Sequence, residues 1–244
     1  MRKLKHGPGS ANLRIGDLKE NQDANREIGV PRWHSRGYIP HFESSEVIQH
    51  VTFHLADSLP KSALLRLESE LKNFPVEKRD AERRKRVDAW TDAGHGSCVL
   101  RKPELAQMAQ DSLLTFDSQR YRLLAWVVMP NHVHVLFQPI QGWTVAKIVA
   151  AWKKFMARKI CDAANRKIDV PIHTDTKIAN QEIGVPRLDP VWHREYWDRY
   201  VRNEGHFERV VDYIHMNPVK AHLVSAAEKW RWSSAYSGND RRRS

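Results

Sequence analysis

The stretch Trp126–Phe137 constrains this chain more than any other. It is apolar and β-branched, broken once by Pro130 and Asn131, and it carries His132 and His134. Such composition predicts two strands, Arg122 to Met129 and His132 to Phe137. Alternate side chains of a strand share a face. His132 and His134 therefore aim one way, and Val133 and Val135 pack on the other. Neutral imidazole is a common metal ligand, so two on one face supply half of a metal site. An ordinary pair of half-buried histidines has the same pattern, so the rest of the chain has to decide.

Residues 203–218 supply the context. Phe207, Val210, Val211 and Ile214 recur at helical spacing and predict a core face. Tyr213 and Asn217 are four apart, which makes them neighbours on a stripe beside that face. Pro218 is expected to stop the helix, leaving Asn217 at its end. A tyrosine there is either a core-edge aromatic or a nucleophile beside a ligating amide oxygen.

Other segments fill in the fold. Residues 47–55 have strand composition, and His50 and His54 share a parity on that strand. Residues 60–90 read as helical and charged, with the cluster Arg83–Arg86 as a solvated face. A helix opens at Pro103 and runs to about Phe116. Thr144 can cap a helix whose stripe is Val145, Ile148, Val149, Trp152, Phe155 and Met156. Lys147, Lys153, Lys154 and Arg158 lie largely off that stripe. The order strand, helix, strand, strand, helix, with a late helix, predicts an α+β domain of the ferredoxin-like kind, an antiparallel sheet with helices on one face.

Residues 1–37 are polar and basic and read as a flexible arm. Residues 165–190 are loop-like, and 237–244 form a basic tail. Ala24–Arg32 recurs as Ala179–Arg187 with one difference, Arg26 against Gln181. Each copy holds a Gly-Val-Pro loop signal, so both read as a short element inserted where loops tolerate it, with a paired functional role, such as a shared partner motif, as the alternative. Cys98 and Cys161 are too few for a disulfide framework and read as reduced and structural.

Three segments resemble the REP-associated tyrosine transposases, members of the HUH single-strand nucleases related to single-tyrosine insertion-sequence transposases. They are Tyr121–Val135, Val191–Arg202 and Val211–Ala221, with a weaker likeness at His50–Pro60. Together they span roughly residues 38–236. The resemblance implies an HUH-type fold over that range. It implies that His132, His134 and Asn217 bind a divalent metal and that Tyr213 attacks DNA.

The chemistry is coherent with that resemblance. A tyrosine hydroxyl has a pKa near ~10 and is a poor nucleophile unless activated. A metal can polarise the phosphate and orient it for in-line attack. The expected product is a 5′-phosphotyrosine and a free 3′-hydroxyl, which permits rejoining without ATP. Mixed nitrogen and oxygen ligation suits Mg²⁺ or Mn²⁺, with Mn²⁺ the better match for imidazole. The expected partner is single-stranded or hairpin DNA, and monomer or homodimer is left open. Lys+Arg 40 against Asp+Glu 29 gives a net charge of +11, which suits a polyanion. Trp192, Trp197 and Tyr200 interleave with Arg194, Arg199 and Arg202 as stacking platforms interleave with cations in single-strand grooves. With Lys153 and Lys154 they are the candidate DNA contacts. With no signal peptide and no apolar run long enough to span a bilayer, a cytoplasmic protein is expected. Two other classes fit parts of the pattern: a non-catalytic hairpin-binding regulator, and an unrelated His-x-His hydrolase with water as nucleophile.

Overall fold

The histidine strand is one of the two central strands of a four-stranded antiparallel sheet. A computed structural model describes residues 32–35, 40–43, 47–59, 61–165 and 190–238 of the chain. In chain order the elements are β1 (Arg32–Ser35), β2 (Pro40–Glu43), β3 (Gln49–His54), α1 (Lys61–Leu71), α2 (Val76–Asp92), α3 (Pro103–Leu114), β4 (Tyr121–Val128), β5 (His132–Pro139), α4 (Val145–Asn165), β6 (Trp197–Tyr200) and α5 (Glu204–Lys220). The main sheet runs β4-β5-β3-β6, all pairs antiparallel. The series β3-α3-β4-β5-α4-β6 in that order is the split βαβ pattern of a ferredoxin-like α+β fold.

Strand alternation divides the sheet into two faces. Val133, Val135 and Phe137 of β5 join Val51 and Phe53 of β3 in a core covered by α3 and α4. His132, His134 and Leu136 take the opposite face, where Val210 and Ile214 of α5 pack on Leu136. Helices on one face therefore describes α3 and α4; α5 covers the other face and brings its side chains over the histidines. Within the α4 stripe, Val145, Ile148, Val149, Trp152 and Met156 are buried, while Phe155 is exposed.

The larger core holds a polar link that fixes α3 to α4. Tyr121 donates its hydroxyl hydrogen to the Leu113 carbonyl (2.8 Å) and accepts from Trp152 Nε1 (3.0 Å). The rings of Tyr121 and Trp152 meet edge to face at 4.9 Å. Tyr121→Phe leaves a buried donor and a buried acceptor without partners, which costs about 1–3 kcal/mol. Chemical denaturation should report that loss with the circular dichroism of the folded state unchanged; an unaltered midpoint would remove this link from the account.

Several expectations need adjustment. The charged segment 60–90 is two helices, broken over residues 72–75 ahead of the Pro75 N-cap of α2. Arg83 is bonded to Glu68 (2.8 and 2.9 Å), and Arg86 to Glu82 and Glu70, so these cations tie α2 to α1. Pro218 does not stop the last helix, because α5 continues to Lys220. Proline removes one amide donor, and the last turn closes through Ala221 N to Asn217 O and Leu223 N to Pro218 O. Of the basic arm over residues 1–37, Arg32–Ser35 form a strand paired with β2; residues 1–31, 36 and 37 lie outside the described residues. The loop insertion over 166–189, both repeated segments apart from Arg32, and the tail from 239 lie outside them as well.

Candidate metal centre and tyrosine site

The β4–β5 turn sets His132. Asn131 donates from Nδ2 to the carbonyls of Thr91 (3.0 Å) and His95 (3.0 Å) at the end of α2. Its Oδ1 therefore faces His132 Nδ1, at 2.8 Å. An amide oxygen can only accept, so Nδ1 carries the proton and Nε2 presents a lone pair. That lone pair faces Asp92 Oδ1 at 3.6 Å. Ordering of an imidazole through its second nitrogen is the usual support for a metal-ligating histidine.

His134 is held the same way. Its Nδ1 lies 2.7 Å from Thr52 Oγ1 on β3, and its Nε2 lies 3.3 Å from Asn217 Nδ2 on α5. The amide donates to Nε2, so the proton of this ring sits on Nδ1 facing the threonine hydroxyl. The His132 and His134 rings meet edge to face at 4.7 Å. Tyr213 stands edge-on to His134 at 5.2 Å and to His50 at 5.9 Å. Lys220 Nζ lies 5.0 Å from the Tyr213 ring centre. Asn203 caps α5, its side chain accepting from His206 N at 2.9 Å, and the helix carries Tyr213 and Asn217 to the same side.

Burial dominates the titration of this cluster. It pulls His132 down to about 3, helped by His54, and His50 down to about 3, helped by Arg199 and His206. It takes His134 well below the ordinary histidine value, with His132 and His50 adding to the effect. These imidazoles are therefore neutral, the form that binds metals. Burial lifts Asp92 to about 6, opposed by Lys220 and Asn217. It also lifts Tyr213 above its ordinary range, with the charges of Asp88 and Asp92 adding to it, so the side chain is a neutral phenol.

A divalent ion fits these residues. His132 Nε2, Asp92 Oδ1, Asn217 Oδ1 and the Tyr213 hydroxyl are buried without a hydrogen-bond partner. Buried polar atoms are almost always paired, so His132 Nε2 and Asp92 Oδ1, which face each other at 3.6 Å, call for a ligand between them. Ligand atoms of Asp92, His132 and His134 lie within 4.8 Å of one another. Asp92 was not legible as part of the site from the sequence, nor were Thr52 and the contact of His50 with Tyr213.

A cavity of about 270 Å³ opens beside the tyrosine, lined by Thr52, Trp197, Arg199, His206, Arg209 and Tyr213 among others. It brings Trp197 and Arg199 of the expected DNA contacts to the site. Arg194, Arg202 and Lys154 are exposed, and the Arg202 guanidinium lies 5.8 Å from the Tyr200 ring centre. Two expected contacts have other work. Trp192 is a core residue, 4 % exposed, and packs edge to face on Phe53 at 4.9 Å. Lys153 is tied to the carbonyls of His193 (2.7 Å) and Arg194 (2.9 Å), and burial lowers its pKa to about 8. It braces the segment that leads into β6.

Comparison with known proteins agrees with the motifs. The sequence model of the family described as Transposase IS200 like matches residues 102–170, which include both histidines. The REP-associated tyrosine transposase of Escherichia coli (strain K12) is 23 % identical over 133 residues, covering 52 % of this chain and 63 % of that protein. A Haemophilus influenzae protein provisionally given the same name is 24 % identical over 121 residues, covering 49 % of this chain and 62 % of its own. The chain thus spans less than two-thirds of the length of these curated relatives. A solved REP-associated tyrosine transposase bound to a REP hairpin aligns over 81 % of this chain and 80 % of that one, at 18 % identity and a TM-score of 0.46. The likeness to REP-associated tyrosine transposases read from the motifs stands.

Proposed function

We propose that this chain cleaves single-stranded DNA at hairpin-forming repetitive elements and transfers the strand through a 5′-phosphotyrosine. The observation that carries the reading is the buried, unpartnered Tyr213 hydroxyl on a ring packed edge-on against His134, whose ligand nitrogen converges with the ligand atoms of His132 and Asp92. The name of its relatives supports the substrate class. His132, His134 and Asn217 would hold a divalent ion, Mn²⁺ or Mg²⁺, and Asn217 would have to offer Oδ1 rather than Nδ2. When bound, the ion supplies charge relief on the phosphoryl oxygens.

The chain's own residues do the rest. Tyr213 Oη forms a bond to phosphorus and gives up its proton. The bond from phosphorus to the 3′-oxygen breaks, and that oxygen takes up a proton. Attack by another 3′-hydroxyl reverses the step and frees the tyrosine. Trp197 and Arg199 line the cavity in which the flanking nucleotide would sit, and exposed Arg194, Arg202 and Lys154 would track the backbone. Among the described residues no helix is long and apolar enough to cross a membrane. A DNA substrate would place the protein in the cytoplasm.

The test is incubation with a single-stranded REP hairpin and Mn²⁺, followed by denaturing electrophoresis. A covalent protein–DNA species is expected. Hairpin binding with no such species would instead mark a non-catalytic regulator. Binding should also weaken with salt, the logarithm of affinity falling by about 0.7 per phosphate neutralised for each decade of salt. A flat response would mean that the charge of +11 is not used on nucleic acid.

A further inference from the structure

Asp92 lies outside the motifs that place the histidines and the tyrosine, and its surroundings disfavour a carboxylate in three ways that Lys220 and Asn217 only partly offset. It is the last residue of α2, which ends where Gly94 takes φ +74. A helix C-terminus carries partial negative charge, so an acid there is repelled. Its Oδ1 is buried without a hydrogen-bond partner. That oxygen faces His132 Nε2 at 3.6 Å, and Asn131 holds the His132 proton on the other nitrogen. A lone pair thus meets a lone pair. Asn131 bonds the Thr91 and His95 carbonyls on either side of Asp92, so the approach is built into the fold.

One cation between these atoms reverses all three penalties. Two atoms ligating the same small divalent ion at ~2.1 Å stand roughly 3–4 Å apart, which matches the separation here. The Asp92, His132 and His134 ligand atoms lie within 4.8 Å of one another, whereas Asn217 turns its amide nitrogen, a donor, toward His134 Nε2. Asp92 also keeps 28 % side-chain exposure against 1 % for His132, so the open side of the centre lies by the carboxylate.

We infer that Asp92 is a direct ligand of the metal, adding an anionic oxygen from α2 to the ligands that β5 and α5 supply. A hard carboxylate oxygen beside two imidazoles favours Mn²⁺ over soft, thiophilic ions. The inference rests on the metal-assisted reading above, so its test uses metal binding alone.

Titration calorimetry of Mn²⁺ into the full chain without DNA measures it. Asp92→Asn keeps the shape and removes the charge. Its Mn²⁺ affinity should fall at least ~10-fold, since removal of even an outer supporting group costs 10–100-fold. Asn217→Ala should lose less. Asp92→Cys should bind Mn²⁺ more weakly and Cd²⁺ more tightly than the unaltered chain, a reversal that a damaged fold would not produce. Asp92→Asn affinity within twofold of the unaltered chain, or an Asp92→Cys variant with unchanged ion preference, overturns the assignment while leaving the histidine site standing. An unaltered chain that binds no Mn²⁺ overturns the metal reading and this ligand together.

Discussion

Tyr213→Phe is expected to abolish the covalent DNA adduct and leave hairpin binding and stability intact. The tyrosine ring is packed edge-on against His134 and His50, and phenylalanine keeps those contacts. The hydroxyl is different. It is buried and has no hydrogen-bond partner. Burying a hydroxyl unpaired is unfavourable by about 1–3 kcal/mol, so its removal should leave the melting temperature unchanged or raise it. A tyrosine kept for structure normally has its hydroxyl bonded, as Tyr121 does to Leu113 and Trp152. Tyr213 is placed as a reagent would be. The measurement pairs adduct yield on denaturing gels with thermal melting. Undiminished adduct in the variant would remove Tyr213 as the nucleophile, and a lowered melting temperature would show that the neighbouring Asn217 amide bonds the hydroxyl.

Part of this site was legible in the sequence because secondary-structure periods alone bring its members together. Alternation puts His132 and His134 on one face, and a four-residue step puts Tyr213 and Asn217 on one stripe. What the periods do not contain is which faces meet. Asp92 looks like any other acid in a charged helix that also carries Glu77, Glu82 and Asp88. It becomes part of the site only because Asn131 bonds across to the end of α2, a contact between residues forty positions apart. Thr52 and His50 share a parity that could be read, but the pairing of Thr52 with His134 comes from the β3–β5 register. Trp192 shows the converse. An aromatic among cations has the same sequence signature whether it stacks on a base or fills a core, and its contact with Phe53 decides for the core. Pro218 does not end α5 because the cost of proline falls on one amide donor, and near a helix end that donor is one of few left to lose.

His134→Ala should have the other large effect, and a chelator gives the comparison that separates chemistry from packing. His134 is 1 % exposed and sits between Thr52, Asn217 and the Tyr213 ring. Alanine removes a ligand and also leaves a void with an orphaned threonine hydroxyl, so the variant should melt lower as well as cleave less. Loss of a preorganised group that meets charge in the transition state costs roughly 10²–10³-fold in rate. Hairpin binding should suffer far less, because exposed cations such as Arg194 and Arg202 are not among the residues that line the pocket beside the tyrosine. Excess chelator on the unaltered chain removes the metal and nothing else. It should reproduce the loss of adduct without creating that void, and added Mn²⁺ should restore the unaltered chain but not the variant. If the unaltered chain forms its adduct at full yield in excess chelator, the convergence of His132, His134 and Asp92 has to be explained without a metal. The lone pairs that face each other at 3.6 Å would then need a proton between them. The candidate is a protonated Asp92, whose pKa burial has already raised to about 6.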